Sequence, residues 1–253
     1  MIQPLAMGKV IQTKGRALNT DSFTCAALGF VAGFVDAAGF IALSGLFTSH
    51  VTGNFILIGA ELVTRSGGVL AKFLALPTFV FSVAATRLFF VALESRDIAP
   101  LRPLLLIEAG LLTTFLAAGV VLSPSGSPDA ARPIFAGMLG VAAMSVQNAI
   151  ARLSLPHLPA TTVMTVNVTQ TIIDTVDLYR NRHSKATEHA ATRLRRMLLA
   201  LIAFAIGALA GAFSVAAWSF WCLLVPIVML VGLVSFLSGS ENARNSNGPT
   251  TAN

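Results

Sequence analysis

Six stretches of this chain run for about twenty residues with almost no charge, and nothing constrains its fold more. They lie near 22–46, 70–93, 103–122, 133–152, 196–214 and 217–238. A helix rises about 1.5 Å per residue, so about 20 apolar residues carry it across the hydrocarbon core of a bilayer. Each block meets that length. Charge is correspondingly scarce: 11% of residues are Asp, Glu, Lys or Arg and 55% are hydrophobic, against roughly 25% charged in soluble domains. A water-soluble domain of 253 residues could not cover its surface with so few charges. A disordered chain is excluded as well, since that state needs low hydrophobicity and high net charge. The expectation is an all-α, polytopic helical membrane protein whose first partner is the lipid bilayer.

The net charge of +6 does not point to nucleic acid. The basic residues lie mostly at the edges of apolar blocks, where positive charge fixes orientation toward the cytoplasm. The stretch 180–196 holds Arg180, Arg182, Lys185, Arg193, Arg195 and Arg196 and is expected to be the one long polar, cytoplasmic loop. Residues 1–21 read as a cytoplasmic tail, because the apolar run from Ser22 to Phe47 is too long for the h-region of a secretory signal. Residues 22–238 form one transmembrane domain, and the polar stretch 239–253 reads as a disordered tail. Cys25 and Cys222 both sit inside apolar blocks and read as small core hydrophobes. They suggest neither a disulfide nor a metal site, and no cofactor is expected. Gly29 and Gly33, and Gly207 and Gly211, have the four-residue spacing that lets helices approach closely. The last two blocks, joined by a short turn near 214–219, are expected to pack as a tight antiparallel pair.

Two further segments are apolar but interrupted, 47–63 and 160–176, and they match each other. Thr48, Thr52 and Asn54 in the first correspond to Thr161, Thr165 and Asn167 in the second. Seven residues after each Asn comes a carboxylate, Glu61 or Asp174. Seven residues are two helical turns, so Asn and carboxylate share a helix face. This is the mark of a two-fold internal repeat with units of about 22–122 and 133–238. If the interrupted segments dip in and return, there are six full spans plus two broken or re-entrant polar helices, and the repeat is inverted. If they cross, there are eight crossings and a parallel repeat. Each topology places thirteen Lys and Arg residues inside, so charge does not choose between them. The 12 residues from Gly53 to Thr64 are too few to span, which favours six.

The elements GFVDAAGF (33–40), FTSHVTGN (47–54), QNAIARL (from 147) and ATTVMTVN (ending at 167) resemble the YoaK family of bacterial integral membrane proteins, over about residues 22–238. In the second copy the family commonly has Thr-Gly-Asn where this chain has Thr165-Val166-Asn167. The resemblance implies the fold and a multi-pass location in the bacterial cytoplasmic membrane, with both termini cytoplasmic. It implies no established activity, because the family is one of unknown function.

Ionisable residues inside spans are costly and are by default candidate functional sites. Asp36, in the middle of its block, is either the ion-pair partner of Arg87 or a protonatable relay group. In inverted-repeat transporters, broken helices meet at the midplane and present polar groups to substrate. Here those groups would be Asp36, Thr48, Thr52, Asn54, Glu61, Thr161, Thr165, Asn167 and Asp174. The alternative for the Thr and Asn residues is helix capping. His50 and His157 read as interfacial. The resulting expectation is a transporter of a small polar solute or ion, not an enzyme, with homo-oligomerisation left open. Two other readings remain: a membrane assembly partner, and an intramembrane enzyme acting on lipid or prenyl phosphates. The last rests only on Asp174 and Asp177, since neither a G-x-S-x-G nor an H-E-x-x-H motif is present.

Overall fold

A computed structural model of the chain describes residues 4–122, 128–159, 164–180 and 186–245. Among these it is all-helical: α1 (Pro4–Ala42), α2 (Gly53–Thr64), α3 (Val69–Glu94), α4 (Leu101–Leu122), α5 (Ala131–Leu153), α6 (Met164–Arg180), α7 (Ala186–Trp218), a 3₁₀ turn (Ser219–Leu223) and α8 (Leu224–Asn245). Five helical stretches are long and apolar enough to cross a membrane: Thr20–Ala42, Val69–Glu94, Leu101–Leu122, Ala131–Leu153 and the continuous run Ala191–Ser240. The protein is thus a multi-span membrane protein, with apolar helix faces suited to lipid. Large apolar side chains such as Phe81, Leu88, Phe213 and Val228 are exposed on α3, α7 and α8.

The most extensive packing is between α1 and α7, and the spaced glycines explain it. A Cβ on Gly33 would lie 2.1 Å from the Phe204 carbonyl oxygen, and one on Gly207 would lie 2.2 Å from that of Phe30. Gly29 meets Ala200 and Gly211 meets Phe34 in the same way. Both small-residue spacings therefore face each other, and the order of the contacts makes α1 and α7 parallel. α5 runs opposite to α1: Gln147 Nε2 donates to the Leu28 carbonyl at 2.7 Å, while Gly137 lies beside Leu46. α3 runs parallel to α5, since Thr78 donates to Met138 and Asp129 accepts from the amide of Leu70. α4 runs opposite to α8, with Arg102 donating to the Leu237 carbonyl and Gly119 against Phe220.

Three expectations change, and a fourth element gains detail. α7 and α8 do not form a tight pair: the close-packing face of α7 is taken by α1, and the turn at Ser219 (φ 50°) sends α8 along α4 and α1 instead. Residues 186–196 are not loop but the first turns of α7, and 181–185 lie outside the described residues. α8 continues beyond 238 to Asn245, leaving only 246–253 of the expected disordered tail, outside the described residues. α1 begins at Pro4, so most of the expected tail is helical. Cys25 and Cys222 are free and buried, as expected of core residues.

Candidate functional site

The site begins where α1 stops. Ser44 (φ 52°) and Gly45 (φ 82°) take left-handed conformations that a chain adopts readily at a helix C-terminus. The Gly45 amide donates to the Phe40 carbonyl at 2.8 Å, closing the helix and turning the chain back. The segment that follows, through residue 52, runs without regular backbone pairing, so its buried amides need other acceptors. Two side chains serve them. Asn54 grips Phe47 at both backbone groups: its Oδ1 accepts from the Phe47 amide at 3.0 Å and its Nδ2 donates to the Phe47 carbonyl at 2.9 Å. Asp36 Oδ1 accepts from the amides of Thr48 at 2.8 Å and Ser49 at 2.7 Å, and from the Thr48 hydroxyl at 3.2 Å. In oil each unserved amide costs several kcal/mol. A carboxylate and an amide inside an apolar block are therefore required by the fold of this loop.

The second carboxylate oxygen does something else. Asp36 Oδ2 lies 2.6 Å from His50 Nδ1, and His50 is its one partner among the described residues. Asp36 is 4% exposed, whereas the His50 side chain is 36% exposed. The hydrogen bond favours the imidazolium and raises the His50 pKa above 6.5, against burial, which works the other way. The ring stands edge-on to Phe204 on α7 and to Phe47. Beside the pair opens a pocket of about 420 Å³ lined by Gly33, Asp36, Ala37, Phe40, Ile41, Phe47, His50, Phe204 and Ala208. Its walls are aromatic and aliphatic, and Asp36 and His50 are its two titratable groups. Asp36 is six residues, about 9 Å, from the end of α1. It lies two residues past the centre of the 22–46 block.

The remaining candidates separate. Arg87 is exposed on α3 with its guanidinium 5.3 Å from the centre of the Phe90 ring, and the structure does not bring it to Asp36. Thr52 is exposed and makes no capping hydrogen bond to α2. Thr165 is exposed on α6, Asn167 is buried there beside Met164, and Thr161 lies outside the described residues. α2 packs on α3 and α6 on α7; the two short helices do not pack on each other, so the matched polar elements line no shared hollow among the described residues. The matched carboxylates instead tie each short helix to the next long one. Glu61 accepts from Lys72 of α3 at 2.5 Å, and Lys72 also donates to the Ser44 carbonyl at 2.8 Å. Asp174 accepts from Arg193 of α7, with Nε at 2.7 Å, and from Gln170 at 2.8 Å. His157, exposed, lies 3.5 Å from Asp21, which also accepts from Arg196 at 2.6 Å.

Sequence reasoning missed three members of this arrangement. His50 was legible only as an interfacial histidine, although it lies fourteen residues from Asp36. Lys72, buried beside Glu61, is not distinguished by the sequence pattern from the other basic residues; its position inside the first turn of an apolar block is the available signal. Ser49 contributes a backbone amide, which no side-chain pattern announces. Glu108 on α4 is fully buried and its two oxygens have no hydrogen-bond partner among the described residues. No group of three or more His, Cys, Asp or Glu residues that could hold a metal occurs among the described residues. A family model described as "Protein of unknown function (DUF1275)" matches residues 24–236. No curated protein matches the chain, and no solved structure does.

Proposed function

The chain belongs to the DUF1275 family of proteins of unknown function, and we propose that it is a carrier for a small solute or ion in the bacterial cytoplasmic membrane, not an enzyme. One observation carries this reading: a buried carboxylate paired with a partly exposed imidazole lines a 420 Å³ pocket between α1 and α7, within a protein otherwise made of apolar spans. Ionisable residues within apolar spans are by default candidate functional sites. The pair differs from a purely structural contact because Oδ1 serves the Thr48 and Ser49 amides while Oδ2 holds a titratable side chain, and both Asp36 and His50 line the pocket.

The fold we propose for this carrier has six crossings, α1, α3, α4, α5, α7 and α8, with α2 and α6 re-entrant. α2 supports this: it starts beside Phe47 and its last turn returns, through Glu61 and Lys72, to the Ser44 end of α1. The directions of the long helices also alternate as six crossings require. An inverted two-fold repeat is supported by exchanging α1 with α5, α2 with α6, α3 with α7 and α4 with α8. The α1–α7 contact then becomes α5–α3, α2–α3 becomes α6–α7, and α4–α5 becomes α8–α1. With Arg65 and Arg132 outside, the termini and the Arg193–Arg196 region are cytoplasmic. The test is uptake from a panel of small solutes into proteoliposomes. Flux with the native chain that disappears in Asp36→Asn, while the variant still inserts and purifies as a single species, is expected. Equal flux in the two removes Asp36 from the mechanism.

A further inference from the structure

We propose that the α1–α7 pocket binds an organic cation with an apolar body, in exchange for the proton of His50. The inference deepens the carrier reading and rests on it. Charge and shape argue together. The pocket walls are Phe40, Phe47, Phe204, Ile41 and small residues, so a strongly hydrated inorganic ion would lose its shell against groups that cannot replace it. A hydrocarbon or aromatic body fits those walls, and rings at Phe47 and Phe204 favour a positive group over their faces. The one fixed charge at the pocket is the Asp36 carboxylate.

The proton enters through His50. When the ring is an imidazolium, Nδ1–H donates to Asp36 Oδ2 and the pair is neutral. Loss of the Nε2 proton leaves the tautomer that still donates through Nδ1, so the loop contact persists and the pair carries one negative charge. A cation therefore binds the deprotonated pair, which carries a net negative charge, and not the neutral protonated one: one positive charge enters as one proton leaves. Among the described residues no other titratable side chain lines the pocket. α7 presents Phe204 and Ala208 to it, the loop presents Phe47, and α1 presents only Asp36 among ionisable groups. Glu61 is engaged with Lys72 and is not among the residues that line the pocket.

Calorimetry on the detergent-purified full chain with benzyltrimethylammonium and phenylmethanesulfonate, probes of similar shape and opposite charge, tests this. The ammonium is permanently charged, so any pH dependence belongs to the protein. The expected result is binding of the cation alone, with Kd falling about tenfold per pH unit below the titration of His50 and levelling above it. His50→Gln binds with a Kd that pH does not move, and Asp36→Asn does not bind. Should Asp36→Asn fail to fold, Ile41→Lys places a positive charge on a half-exposed wall residue and weakens the cation by roughly tenfold or more. Equal affinity for both probes, a pH-independent Kd in the native chain, or a pH slope that survives in His50→Gln overturns the inference. Cation binding with this profile but no flux overturns the carrier reading alone. Flux of an uncharged solute without cation binding overturns this inference alone.

Discussion

Asp36 shows how one side chain can be both scaffold and site. Its Oδ1 satisfies two loop amides and a hydroxyl, and its Oδ2 holds His50 at 2.6 Å. Asn54 has only the first role, gripping Phe47 at both backbone groups. Asn54→Ala is thus expected to destabilise the protein by about 1–3 kcal/mol, the cost of stranding buried backbone groups, read as an earlier midpoint in chemical unfolding. Among glycines the effect of an added methyl depends on what it meets. Gly33→Ala is expected to cost about 1–3 kcal/mol by overpacking against Phe204, whereas Gly59→Ala, with nothing within 4 Å, is not expected to destabilise. Thermal melts of the two variants side by side check this. The His50 contact has a definite pH sign. A pKa raised on folding gives stability that is complete below the ordinary value of 6.5 and is lost as pH rises through the folded value. The native chain should therefore exceed His50→Gln in melting temperature most at acid pH, and the gap should close on the alkaline side. At this scale Asp36 and Asn54 were legible because a carboxylate or an amide in an apolar block is conspicuous. Their partners were not, because backbone amides carry no sequence signature. Arg87, the one basic residue away from the edges of an apolar block that could have countered Asp36, lies on an exposed face of α3.

The helices themselves follow from the apolar blocks, and the short α2 and α6 from the two interrupted segments. What the pattern did not disclose was which helices touch. The Gly29–Gly33 and Gly207–Gly211 spacings looked like independent packing marks and proved to be two halves of one interface. That interface occupies α7 and leaves α8 to α4 and α1. Likewise the basic residues near 193–196 looked like loop because charge is concentrated there; as part of α7 they bond to Asp174 and Asp21. The short helices are held by ion pairs, and the buried one is the sharper test. Lys72→Met leaves the Glu61 carboxylate without its cation and should cost about 3–5 kcal/mol. Adding Glu61→Gln removes the stranded charge and should restore most of that stability. Unfolding midpoints of the single and double variants decide it: equal loss in both would mean that the pair does not fasten α2 to α3.

For the whole molecule, membrane residence follows from five spanning stretches and from how few charges the chain carries. Topology was open to two readings, since both gave the same charge count. Helix directions support the six crossings proposed above, because Ser44, Lys72 and Asp129 gather at one end of the bundle and Asp21, Arg102 and Arg196 belong to the other. Single cysteines at Ser66 and Ser95 should accordingly react with an impermeant thiol reagent from opposite sides of sealed vesicles, Ser66 from outside. Labelling of Ser66 from the cytoplasmic side would exclude six crossings. Among the described residues the two polar elements line no shared hollow; the pocket is lined by Asp36, His50 and residues of α1 and α7. Its role is tested most directly by uptake of labelled benzyltrimethylammonium into proteoliposomes with an acidic lumen. The account predicts uptake that collapses when the pH gradient is dissipated and is absent in Asp36→Asn. Uptake indifferent to both the gradient and that substitution, or no uptake by the native chain, would contradict it.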